Sequence, residues 1–186
     1  MTRVRVRFSK TGKVRFTSHR DVARIWERAL RRAGIRVAYT EGFSPRPRVS
    51  FGLALATGYE SEAEYLDMDL VDEPQADHQV WALEICRQLD LALPKGVDVL
   101  AADIVDRSVD SLQKAVDSCT WHIEVDGIDY ANASQWVNEL LSREKIVVER
   151  ERKGRTVKED VRAQVLALDV VGVTKQGVRL LAELGT

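Results

Sequence analysis

Residues 3–34 read RVRVRFSKTGKVRFTSHRDVARIWERALRRAG, and the two periodicities in this stretch decide the fold class. From Arg3 to Phe8 the period is two: Val4, Val6 and Phe8 take one face, Arg3, Arg5 and Arg7 the other. Successive side chains on a strand point to opposite faces, so this is a half-buried strand whose outer face is all arginine. Thr11-Gly12 makes a turn, and Val14 and Phe16 continue the apolar side. The period then changes to that of a helix. Ser18 is an N-cap with Asp21 three residues on, an approximate capping box, and Gly34 is the usual C-terminal stop. At about 100° per residue, Val22, Ile25, Trp26, Ala29, Leu30 and Ala33 share a sector of about 140°. Arg20, Arg24, Arg28, Arg31 and Arg32 lie opposite. Glu27 can pair with Arg31 and Asp21 with Arg24, which leaves three arginines without a local partner.

Working outward, residues 35–39 form a short strand, and Gly42-Phe43-Ser44-Pro45-Arg46-Pro47-Arg48 a stiff loop. Each proline fixes its own φ and pushes the preceding residue toward an extended conformation. Val49, Phe51, Leu53 and Leu55 alternate as the next strand, and residues 64–70 form another. Pro74 opens a second helix carrying Val80, Trp81, Leu83, Ile85 and Leu89, and residues 97–105 close with a strand. Strand, helix, two strands, helix, strand is the ferredoxin-like order. A weaker copy follows, with strands at 119–125, 146–151, 161–173 and 177–184 and a helix at 133–141. The expected fold is α+β, two ferredoxin-like (βαββαβ-type) units packed together. Residues 1–105 make a basic N-terminal unit and residues 118–186 the second, which reads as lacking a final segment. Polar residues 106–117 are the boundary.

The net charge of −1 conceals a division along the chain. Residues 1–50 carry 14 Lys/Arg against the three acids Asp21, Glu27 and Glu41, a net of +11; the remaining residues carry −12. Sorting of charge by sequence points to a polyanionic partner for the basic part; the alternative is mutual neutralisation of the two parts within one fold. No run of 18 apolar residues exists, so no membrane span is expected. With no signal-peptide pattern and only Cys86 and Cys119, the expected compartment is the cytoplasm, with both thiols reduced. The cysteines and His19, His78 and His122 are scattered, so neither a metal nor another cofactor is expected. There is no Cys-x-x-x-Cys-x-x-Cys, no Gly-x-x-x-x-Gly-Lys and no dinucleotide fingerprint, which speaks against redox or nucleotide chemistry by this chain alone.

Arg15-Phe16-Thr17-Ser18-His19-Arg20-Asp21, then residues 27–34, Tyr39, Gly42-Phe43-Ser44-Pro45-Arg46-Pro47 and Gly58-Tyr59-Glu60-Ser61 through Asp67 form a recognisable constellation. It resembles the radical-SAM-linked family of uncharacterised bacterial domains, which occur alone or fused behind a radical-SAM, cobalamin-binding module. The resemblance is close over residues 3–70 and topological beyond them. It implies a companion of a radical-SAM enzyme in RNA modification. The family's loop often has a histidine between its two prolines; Arg46 stands there, replacing a titratable group with a fixed charge. The helix and the Gly-Phe loop are also similar in layout to ferredoxin-like RNA-binding proteins of CRISPR systems.

The residues make a case of their own. Arginine offers phosphate a planar fork of donors. The candidate RNA- or anion-binding residues are Arg5 and Arg7 on the strand, Arg20, Arg24, Arg28 and Arg31 on the helix, and Arg46 and Arg48 in the loop. Tyr39 and Phe43 flank the loop and suit stacking on an unpaired base, although Phe43 suits equally a buried loop anchor. Five or six phosphate contacts would give a salt slope near about −4 on single strands. His19 is a candidate general acid or base, or a capping and packing residue. Three functions follow: a non-catalytic RNA-binding accessory of a radical-SAM RNA-modifying enzyme, a protein-interaction domain docking an acidic partner, or an RNA-processing enzyme using His19. Oligomeric state is not legible.

Overall fold

The computed structural model describes residues 1–74, 77–152 and 154–186, Arg152 by its backbone alone. The protein is α+β and divides into two compact units, Met1–Ala115 and Val116–Thr186. The division falls after residue 115 because the short helix α3 (Leu112–Ala115) belongs to the first unit: Leu112 is buried and the Gln113 amide donates to the Phe51 carbonyl at 2.7 Å.

In the first unit β1 (Thr2–Lys10), α1 (His19–Arg32), β2 (Val49–Phe51), β3 (Ser61–Leu70), α2 (His78–Ala92) and β4 (Val99–Val105) follow the expected order. The sheet runs β2-β3-β1-β4 with every pairing antiparallel, consistent with a ferredoxin-like unit. Register explains the two faces. Val4 lies opposite Met68 and Ile104, and Val6 opposite Leu66 and Ala102. These side chains bury against Val22, Trp26 and Leu30 of α1 and Ile85 and Leu89 of α2. Both helices therefore cover one face of the sheet, and the alternate residues Arg3, Arg5 and Arg7 stand on the other.

The ends of α1 match the sequence reading. The Ser18 side chain accepts from the Asp21 N–H, and Gly34 at φ +69° turns the chain out in a conformation other residues rarely adopt. Elsewhere the local reading gives way. Residues 12–16 form a 3-10 turn rather than a continued strand, leaving Phe16 exposed under the Arg15 guanidinium. Residues 35–39 make only isolated bridges, Val37 to Leu70 and Tyr39 to Pro47. The strand after the proline loop stops at Phe51. Helix α2 begins at His78 with Asp77 as its cap, and the proposed start at Pro74 leads into residues outside the described set.

The second unit contains β5 (Ser118–Asp126), α4 (Tyr130–Leu141), β6 (Val147–Arg152), β7 (Arg155–Asp160), β8 (Val165–Val173) and β9 (Gly177–Gly185). Strands β5, β9 and β8 form one antiparallel sheet, with Leu168, Val178, Leu180 and Ala182 packed on Ala133 and Val137 of α4. A Cβ at Gly177 would stand 2.0 Å from the Val125 carbonyl oxygen, so this close strand crossing requires glycine. Strands β6 and β7 form a separate hairpin. A 3-10 turn, Arg162–Gln164, stands where a βαββαβ unit has its second helix. At the turn of the β6–β7 hairpin Gly154 and Arg155 are exposed, and Lys153 lies outside the described residues. No helix among the described residues is long and apolar enough to cross a membrane.

Candidate anion-binding site

The open face of the first sheet is ionic. Register sets Arg3 opposite Asp69 and Arg5 opposite Asp67. Both aspartates are buried although they face away from the apolar core, because arginines cover them. Arg5 grips Asp67 with two parallel bonds, Nε to Oδ1 at 2.8 Å and Nη2 to Oδ2 at 3.0 Å. These bonds raise the Arg5 pKa further above the ordinary arginine value, against the opposing effect of burial.

Asp69 is a hub. Its Oδ1 accepts from Arg3 Nε at 2.9 Å and its Oδ2 from Arg107 Nη2 at 3.1 Å, while Arg48 Nη1 lies 3.9 Å away. The carboxylate is spent on these partners, yet each guanidinium keeps N–H groups directed elsewhere. Two aspartates thus orient Arg3, Arg5 and Arg107 through hydrogen bonds, with Arg48 in ion-pair range of Asp69.

Beside this network the chain from Tyr39 to Pro47 rises as an arm. Ala38 donates to the Asp69 carbonyl at 2.8 Å, and Asp69 donates to the Arg48 carbonyl at 3.0 Å, so both feet of the arm are bound to β3. Thr40 N–H to Arg46 O at 2.9 Å and Arg46 N–H to Thr40 Oγ1 at 3.0 Å close its neck. Gly42, at φ +120°, permits the bend at the tip. The result is a cleft of about 360 Å³ lined by Arg3, Arg46, Arg48, Asp67, Asp69 and neighbouring arm and strand residues. The Arg46 guanidinium is exposed and has no carboxylate partner among the described residues. Phe43 at the tip is as exposed as a side chain can be, at 110%. It is therefore no core anchor.

The predicted residues are thus divided between places. Arg46, Arg48 and the Arg5–Asp67 pair meet at or beside the cleft, with Tyr39 and Phe43 on the arm. Arg7 stands further along β1 and donates to the Glu62 carbonyl at 2.9 Å. Arg20, Arg24, Arg28 and Arg31 are carried by α1, on the far side of the sheet. There Arg24 pairs with Asp21 at 3.2 Å, and Arg28 and Arg31 bond to main-chain carbonyls of their own helix. Helix and strand arginines do not form one surface.

His19 also lies on the helix side. Its ring meets Phe51 edge-on at 5.3 Å, whereas the arm bearing Tyr39 joins β3 at the Asp69 end. Near His19, burial pushes the Glu64 carboxyl up, and a hydrogen bond with Ser61 and the Lys10 charge pull against that shift. Lys10 is a buried cation whose Nζ donates to the Thr17 carbonyl at 3.2 Å, tying the end of β1 to the link between the 3-10 turn and α1.

Asp67, Asp69 and Arg107 were not among the residues singled out from sequence. Asp67-Met68-Asp69 alternates with the period of its strand, and that was the available signal: a strand with acids outward suits a neighbour with arginines outward.

No curated protein matches the sequence. A family model does match, over residues 3–185, and the chain accordingly belongs to the family described as uncharacterised proteins conserved in bacteria (DUF2344).

Proposed function

We propose that this protein binds RNA at the arginine cleft of its first unit, as a non-catalytic accessory of a radical-SAM RNA-modifying enzyme. One observation carries the reading: a guanidinium without a carboxylate partner, Arg46, is held by a bonded arm over a cleft whose other arginines are oriented by buried aspartates. Pre-organised guanidinium groups lose little freedom on capturing a phosphate. The exposed Phe43 ring on the same arm favours a nucleic acid over an acidic protein, since a base can stack where a carboxylate cannot. The radical-SAM partner rests on the resemblance in residues 15–67.

Binding to a single-stranded RNA should weaken with salt at a slope of about −2, from about 0.7 for each of three phosphate charges neutralised. That is half the value expected when every basic residue shares one surface, and a slope shallower than −1 would remove the electrostatic account. Arg46→Ala should weaken binding tenfold or more, about 1.4 kcal/mol, with an unchanged melting temperature, because its side chain holds nothing in place. Arg24→Glu with Arg28→Glu should leave melting unchanged and weaken binding less than Arg46→Ala does. The opposite order in a fluorescence-anisotropy titration would move the site from the cleft to α1.

A further inference from the structure

Granted that reading, the arrangement of charge narrows the ligand. Internal phosphates of a strand carry one charge each and succeed one another along the chain, so they are matched by cations strung along a path. No such path joins the cleft to α1, whose arginines stand across the sheet. The cations of the cleft instead converge. Arg3, Arg107 and Arg48 reach a single carboxylate at 2.9, 3.1 and 3.9 Å, so their guanidinium groups lie within the width of one small anion. Together with Arg5 and Arg46, five arginines at or beside the cleft face Asp67, Asp69 and, opposite Arg5 on β4, Asp103, an excess of two positive charges. Like charges held this close repel, and one multiply charged group relieves the repulsion better than a single negative charge does.

We infer that the cleft takes a terminal phosphate monoester at the end of a single-stranded RNA. Near neutral pH a monoester carries close to two negative charges and three terminal acceptor oxygens, against one charge for an internal diester. Arg3, Arg46 and Arg48 line the cleft and offer it their spare N–H groups, Arg107 adds its charge from the far side of Asp69, and the exposed Phe43 on the arm offers a face to the terminal base. The sheet itself gives bases little to stack on. Its central open face presents Arg3, Arg5 and Arg7 against Asp69, Asp67 and Tyr65, so a strand end is held by its phosphate rather than laid across the sheet.

The test uses the full chain and one labelled ten-nucleotide RNA in three forms: 5′-phosphorylated, 3′-phosphorylated and with both ends unphosphorylated. One phosphorylated form should bind at least tenfold more tightly than the unphosphorylated form, and Arg46→Ala should abolish the difference. Adenosine monophosphate should compete more weakly than that RNA, because it lacks the adjoining diester that adds a third negative charge. Equal binding of all three forms would overturn the terminal-phosphate inference and leave RNA binding at the cleft standing. Competition by the mononucleotide as strong as by the RNA would overturn it in favour of a small nucleotide. Failure of every form to bind would overturn the RNA reading itself.

Discussion

Trp26→Ala should destabilise the first unit by about 3–5 kcal/mol, the usual range for truncating a large core aromatic. Trp26 is completely buried on the inner face of α1 and packs edge-on against Phe8 with ring centroids 4.9 Å apart. It lies among Val4, Val6, Leu66 and Met68, so the sheet and the helix both lose contacts when it is removed. A cavity of that size cannot collapse while β1 is paired on both sides, to β3 and β4. Its indole N–H, however, is buried with no hydrogen-bond partner among the described residues. An unsatisfied buried donor costs about 1–3 kcal/mol. Trp26→Phe should therefore be far milder than Trp26→Ala, because removing the orphan donor offsets part of the lost packing. Urea unfolding of the three proteins checks both statements, and equal losses for Phe and Ala would mean that the ring is not packed as described.

Arg5→Met should cost about 3 kcal/mol, at the low end for breaking a buried ion pair because Arg5 keeps some contact with water. The reason is the residue left behind. Asp67 is 6% exposed, and Arg5 makes both of its side-chain hydrogen bonds. Asp67→Leu should be milder, since the freed Arg5 can turn its guanidinium to solvent, and the double replacement should lose less than Arg5→Met alone. Denaturant midpoints of the two single variants and the double variant decide it. If Arg5→Met leaves stability untouched and weakens RNA binding alone, Arg5 is a ligand contact and not a support. This prediction separates two roles that sequence assigns together: a proposed ligand contact for Arg46, and for Arg5 the support of Asp67 and, through the strand pairing, of the floor of the cleft.

What the chain's own pattern determined is what depends on near neighbours. The strand at Val4, Val6 and Phe8, the cap at Ser18, the buried side of α1 and its stop at Gly34 follow from period, side-chain chemistry and the conformational freedom of glycine. The basic character of the first fifty residues and the stiffness of the proline arm were equally plain. Contacts across the sheet were not. Whether Arg5 was free depended on the register of a strand more than sixty positions away, which made this candidate contact the partner of Asp67, as Arg3 is of Asp69. Whether the helix and strand arginines met depended on which face of the sheet α1 covers. Its apolar side must bury on Val4, Val6 and Phe8, and on a pleated strand that requirement sends Arg3, Arg5 and Arg7 to the opposite face. The same two periodicities that made the sequence look uniformly basic are the physical reason its charges end up on two sides of one layer.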